Sequence, residues 1–281
     1  MPPAPQRSAP IGVFDSGVGG LTVLHELLVA LPQEDFLYLG DSARFPYGDR
    51  TPAELQRFGR QIADVLLERG AKLIVVACNS ATSSALPQIV AHVAESGHAV
   101  DVIGVVGPES NLAVASTHNG RIGVLATPAT VASGAYERAI LTADPLVRLT
   151  SVPCGELAQI SQNGAPITEA DVELARGYCA PLREAGVDTA ILGCTHYPFV
   201  RALLQRLLGP QVTIITSGTA IARRVEHALA LRDIAAIRTG EGRYNFLCTG
   251  DAHAFAEIGS RFLQLPMGAV DHVDLSLEAF A

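Results

Sequence analysis

A chain of 281 residues with 48% hydrophobic side chains can bury one large core or two moderate ones, and two domains of ordinary size fit that length. The net charge of −8, with 20 Lys and Arg scattered rather than clustered, leaves no basic face for a nucleic acid and points to a small-molecule ligand. Five cysteines, odd in number and too widely spaced for a zinc ribbon or a Cys-x-x-Cys redox pair, read as reduced thiols of a cytoplasmic protein without a metal site; no segment has the apolar length that spans a membrane.

Residues 1–10, rich in proline and lacking the apolar stretch of a signal peptide, are expected to form a disordered extension. A short strand at 11–14 ends at Asp15, and Ser16-Gly17-Val18-Gly19-Gly20 opens an amphipathic helix over 21–31. Such a loop suits close approach of an anionic ligand to backbone N–H groups. It lacks the Gly-Lys-Ser/Thr ending of a P-loop, and Thr22 stands where a dinucleotide fingerprint needs its third glycine. A second strand at 36–39 ends at Gly40-Asp41-Ser42, and the turn-rich Arg44-Phe45-Pro46-Tyr47-Gly48 is a loop able to cover a site. Leu55, Phe58, Ile62, Val65 and Leu66 recur at helical spacing over 51–69.

An unbroken apolar run from residue 73 then ends on Cys78 and opens into Asn79, Ser80 and Thr82, all N-cap residue types. A buried parallel strand delivers a thiol to a helix N-terminus in this way, where backbone N–H groups could stabilise a thiolate or hold a carboxylate. The design recurs. Ile122-Gly123-Val124-Leu125-Ala126-Thr127 parallels Ile11-Gly12-Val13-Phe14, and the apolar run at 190–193 ends on Cys194, followed by Thr195-His196-Tyr197-Pro198 and a helical stretch at 200–208. Ile11 and Ile122 lie 111 positions apart, and Cys78 and Cys194 lie 116 apart. These offsets imply duplicated halves, each with a cysteine at the carboxyl end of a strand, where open α/β sheets bind ligands.

A strand at 212–215, a helix at 219–230, a strand at 244–248 and a helix at 252–263 complete the chain and are expected to return to the first half. The expected architecture is two similar three-layer α/β domains with mainly parallel sheets, related by pseudo-symmetry, with the active site in the cleft between them. Residues 1–103 with 214–281 would form the first domain and 104–213 the second.

A single cysteine closing an apolar run is most often a small buried hydrophobe, and it is the matched context of Cys78 and Cys194 that favours chemistry. Asp15 fits either a helix N-cap or a proton partner. His196 fits either a satisfied structural histidine or the partner of a thiol two residues away, and Tyr47 either packs in its turn or lines a site. Cys154, Cys179 and Cys248 lie in no matching context and read as structural. A small-anion-binding regulator and an acidic interaction protein are the readings from other functional classes.

Phe14-Asp15-Ser16-Gly17-Val18-Gly19-Gly20, Phe45-Pro46-Tyr47-Gly48, Ala77-Cys78-Asn79-Ser80-Ala81-Thr82, Gly193-Cys194-Thr195-His196-Tyr197-Pro198 and Thr249-Gly250-Asp251 together resemble the glutamate racemases of the aspartate/glutamate racemase family. They stand in that family's order and span nearly the whole chain. The resemblance implies cofactor-independent interconversion of L- and D-glutamate by a two-cysteine proton transfer, supplying D-glutamate for peptidoglycan in the bacterial cytoplasm, by a homodimer. It implies Cys78 as the base for D-glutamate, assisted by Asp15, and Cys194 as the base for L-glutamate, assisted by His196. Asp15, Ser16, Pro46, Tyr47, Gly48, Asn79, Ser80, Thr195, His196 and either Thr127 or Thr130 would contact the substrate. Ser80 replaces the family's usual Thr, Thr216-Ser217 stands for its usual Asp-Ser, and residues 151–162 match only loosely, which leaves Glu156 without a role. Aspartate racemases, the nearest alternative, resemble Cys-Thr-Glu at the second cysteine rather than the Cys-Thr-His found here.

Overall fold

The computed structural model describes residues 6–163 and 166–275. Residues 1–5 of the expected extension lie outside them. Residues 6–10 are not a free tail, because buried Lys72 donates from Nζ to the Arg7 carbonyl at 2.8 Å and from its backbone N–H to the Pro10 carbonyl at 2.9 Å. The same ammonium meets Glu34 at 2.6 Å and the Ile234 carbonyl at 2.9 Å, which satisfies a charge taken out of water.

Strand and helix alternate from the start: β1 (Ile11–Asp15), α1 (Leu21–Ala30), β2 (Phe36–Gly40), α2 (Pro52–Glu68), β3 (Leu73–Val76), α3 (Asn79–Glu95) and β4 (Asp101–Gly104). The α2 start carries a full capping box between Thr51 and Glu54, with Pro52 in its first turn, so its local sequence and its tertiary position agree. After α4 (Val106–Ser116) the pattern repeats in β5 (Arg121–Ala126), α5 (Pro128–Ala132), α6 (Ala135–Ala143), β6 (Arg148–Pro153), α7 (Glu156–Asn163), α8 (Glu169–Ala185), β7 (Thr189–Gly193), α9 (Arg201–Leu208) and β8 (Thr213–Ile215). The chain finishes with α10 (Ser217–Leu231), β9 (Tyr244–Cys248), α11 (Ala252–Leu263) and β10 (Val270–His272).

These strands form two wholly parallel sheets, in the orders β10-β9-β2-β1-β3-β4 and β6-β5-β7-β8. The block β2-β1-β3-β4 and the block β6-β5-β7-β8 have the same connectivity, so β1 corresponds to β5 and β3 to β7. Alternate residues of one strand feed opposite cores. Ile11 and Val13 pack toward α1, α10 and α11, while Phe14, Ile74 and Val76 pack toward α2 and α3. The second sheet is covered in the same way on both faces. Double coverage is why its strands read as continuous apolar runs rather than alternating ones.

The sheets also correct the expected boundaries. β4 runs to Gly104 and β8 to Ile215, so a cut after 103 or after 213 would sever a paired strand, and the chain crosses between sheets at Val105 and Thr216 instead. Among the described residues no helix is long and apolar enough to cross a membrane.

Candidate active site

Parallel strands place all their carboxyl ends on one side, and β1, β3, β5 and β7 thereby bring Asp15, Cys78, Thr127 and Cys194 together. Cys78, Cys194, Ser16, Asn79, Ser80, Thr127, Thr195 and His196 line one small cavity, closed on one side by Pro46, Tyr47 and Gly48. Asp15 lies directly behind it, fully buried, and Thr130 stands behind Thr127 and Ser80.

Cys78 is itself the N-cap residue of α3. Asn79, Ser80 and Thr82 therefore sit within the helix and do not cap it, contrary to their residue types; the Thr82 hydroxyl instead donates back to the Val76 carbonyl at 3.0 Å. The Ala81 N–H faces the Cys78 sulfur, and the His196 and Tyr197 N–H groups face that of Cys194. These donors favour thiolate but do not prevail. Burial pushes the Cys78 thiol well above its ordinary value, helped by the charge of Asp15, and pushes Cys194 up to about 12. Each thiol thus needs a local proton acceptor.

Asp15 is the carboxyl group beside Cys78. Its Oδ2 accepts from the Gly20 N–H at 2.9 Å, the Thr195 hydroxyl stands 3.4 Å from both oxygens, and the Cys78 thiol lies against it. Burial raises the carboxyl to about 6 against these donors. The capping alternative does not hold, since Gly20 rather than Asp15 is the N-cap residue of α1. His196 faces Cys194, with Nδ1 3.9 Å from the sulfur, and burial lowers the imidazole to about 4, so it is neutral. Its ring packs against Phe45 and Phe262.

Gln162, on α7, fixes which ring nitrogen carries the proton. Its Oε1 lies 2.9 Å from His196 Nε2 and accepts from it, which leaves Nδ1 as the acceptor facing the thiol. Gln162 carries little sign of this role in the amino-acid order, because it falls in the stretch whose family resemblance is loosest. Glu156, at the first position of α7, instead receives the Tyr178 hydroxyl at the surface.

The glycine-rich loop also permits close packing. A Cβ on Gly19 would come within 2.4 Å of the His196 ring and 2.5 Å of Thr195 Oγ1, and one on Gly20 within 2.5 Å of Asp15 Cβ. The glycines let the first half of the chain touch the second beside Cys194. A Cβ on Gly48 would likewise lie 2.9 Å from Thr127 Cβ, where the covering loop meets the second half.

That loop hangs on a carboxylate absent from the candidate residues. Asp41, fully buried, accepts from Arg44 Nε at 2.6 Å, from the Thr249 hydroxyl at 2.8 Å and from the Tyr47 hydroxyl. Tyr47 fulfils both of its readings, packing on Phe58 while lining the cavity. Asp251 of the same Thr-Gly-Asp stretch caps α11 through the Ala254 N–H. Phe45, Asp49 and Gln159 line the cavity without having been foreseen. Cys154, Cys179 and Cys248 are buried in the cores. Among the described residues no three His, Cys, Asp or Glu side chains gather as a set that could hold a metal ion.

Residues 13–225 match the family model of Asp/Glu/Hydantoin racemases. A glutamate racemase of Corynebacterium kroppenstedtii is 38% identical over 95% of this chain and 98% of its own. A glutamate racemase structure from Bacillus anthracis superposes with a TM-score of 0.90 at 35% identity, covering 97% of this chain and 100% of its own. One from Francisella tularensis, in complex with D-glutamate, gives 0.88 at 32% identity, covering 96% and 99%. The chain belongs to the Asp/Glu/Hydantoin racemase family and is an isomerase.

Two outcomes follow from this geometry. Because the folded state holds the Asp15 proton to about 6 while an unfolded chain releases it near 3.8, stability falls as pH rises through that window. Urea unfolding across pH should show that fall shrink by about 3 kcal/mol in Asp15→Asn. Gln162→Glu places a carboxylate against Nε2, and histidine nitrogen NMR should then show His196 titrating well above its value in the unmodified protein.

Proposed function

We propose that the protein interconverts L- and D-glutamate by moving the α-proton between Cys78 and Cys194. The observation that carries this reading is the pair of buried thiols lining one cavity from corresponding strand ends, each beside its own proton acceptor. The glutamate racemases at 38% identity and above over most of the chain supply the substrate.

On L-glutamate, His196 Nδ1 takes the Cys194 proton, the resulting thiolate removes the α-proton, and the Cys78 thiol donates its own proton to the opposite face. Asp15 receives the Cys78 proton when the reaction runs from D-glutamate, and the roles reverse. A pass from L-glutamate leaves Cys194 a thiol, Cys78 a thiolate and His196 protonated; release of the His196 proton to solvent and uptake of one by Cys78 restores the starting state, so the sequence as written requires no cofactor. Substrate carboxylates would meet the Ser16, Ser80, Thr127 and Thr195 hydroxyls and backbone N–H groups, since among the described residues no Lys or Arg lines the cavity. A role in peptidoglycan synthesis in the cytoplasm, and a homodimeric assembly, rest on the family resemblance alone.

Polarimetry on chelator-treated protein should show glutamate racemised without added cofactor, and preference for aspartate would defeat the assignment. Activity should be bell-shaped in pH, with apparent values belonging to the coupled pairs rather than to one cysteine. Cys78→Ala and Cys194→Ala should each abolish racemisation. In heavy water the first should retain slow α-deuterium exchange on L-glutamate and the second on D-glutamate. Substantial racemisation surviving both single changes would rule out the two-thiol scheme.

A further inference from the structure

Glu109, on α4 just past the first crossing between the sheets, is fully buried and has no part in the proton pathway above. Three other helices send donors to its carboxylate. Asn79 Nδ2 of α3 lies 3.2 Å and 3.4 Å from its two oxygens, the Tyr136 hydroxyl of α6 donates to one of them, and the Ser217 hydroxyl, from the first turn of α10, donates to the other. Asn79 Nδ2 also donates to the Tyr136 oxygen at 2.8 Å. With Glu109 ionised every one of these donors has an acceptor.

Asn79 follows Cys78 directly, lines the cavity and is 2% exposed, and its Oδ1 is a buried polar atom without a partner. A buried carbonyl oxygen left unpaired is costly and calls for an occupant. The amide cannot turn over to find one, because that would set its oxygen against the oxygens of Glu109. We infer that Glu109 is a positioning residue: it locks the Asn79 amide so that Oδ1 is presented to the cavity, where it accepts from the α-ammonium of the substrate. This rests on the glutamate reading and adds an orientation to it. The ammonium, and not a carboxylate, meets the Asn79 side chain, and a ligand must carry a donor on its α-carbon to be held well.

Calorimetry with D-glutamate and with glutarate, which has the same two carboxylates and no ammonium, tests this on the full chain. It is done at about pH 8.5, above the value of about 7 to which burial pushes Glu109. The unmodified protein should prefer D-glutamate, and Glu109→Leu should cut that preference by about tenfold or more, because the freed amide can present its NH₂ instead. Asn79→Leu should cut it similarly, and adding Glu109→Leu to Asn79→Leu should change it no further. A further loss in the double variant would mean that the carboxylate acts through its charge on the ligand, and would overturn the inference. Equal weakening of both ligands in Glu109→Leu, with the preference intact, would show a merely structural role and overturn it as well. If Glu109→Leu does not fold, Glu109→Gln, which keeps the volume and one acceptor oxygen, should lose part of the preference, and an unchanged preference there overturns the inference. Unmodified protein that binds neither ligand would sink the glutamate reading and this assignment with it, whereas binding with unaltered discrimination in the variants sinks the assignment alone.

Discussion

Burial of two thiols in one cavity is the condition to which the rest of the structure answers. A thiol taken out of water resists ionisation, and the backbone N–H groups at the start of α3 and after β7 offset only part of that resistance. Asp15 and His196 are the acceptors that stand beside the two thiols, and the two differ in kind. Asp15 is a carboxyl whose own burial weakens it as an acid until its proton affinity approaches neutrality. His196 is an imidazole whose burial keeps it uncharged and whose free nitrogen is selected by Gln162. The two sides of the cavity are alike in fold and unlike in chemistry.

The resemblance of the two sheets explains the likeness. Corresponding strands β3 and β7 deliver corresponding cysteines, as a repeated β-α unit must if its carboxyl ends face one cleft. The partners do not correspond. Asp15 ends β1, whereas the strand in the matching position, β5, ends at Ala126 and is followed by Thr127, which joins the hydroxyl group of Ser80 and Thr130. His196 follows its cysteine within the same turn, where the first half has Ser80 already inside a helix.

Contact between the halves beside the thiols is made by small residues and buried polar groups together with stacked rings, the Phe199 and Phe262 centroids lying 3.9 Å apart. Gly19 admits His196 and Thr195, Gly48 admits Thr127, and Asp41 holds the covering loop through Tyr47, Arg44 and Thr249. Such contacts tolerate little displacement, since a hydrogen bond weakens steeply with distance and angle. The geometry at the thiols is therefore set in part by residues, Gly19 and Asp41 among them, that do not line the cavity.

Much of this was legible in the amino-acid order. Apolar runs ended by a cysteine, the spacing of Leu55, Phe58, Ile62 and Val65, and the repeated Ile-Gly-Val strands reveal alternating parallel strands and helices, because side-chain periodicity is a local consequence of backbone geometry. β9 and α11 were visible for the same reason, whereas β10, three residues with little burial, has no period to read. Only the tertiary structure decided that the glycines serve contact between halves, that Asn79 lies within a helix instead of capping it, that Gln162 orients His196, and that Asp41 and Glu109 are saturated with donors. Those facts join residues far apart in the chain: Ser217 lies 108 positions from Glu109, and Thr195 lies 180 from Asp15. Nothing in the local order of either partner encodes such a meeting, which exists only once both sheets have packed and brought their carboxyl ends together.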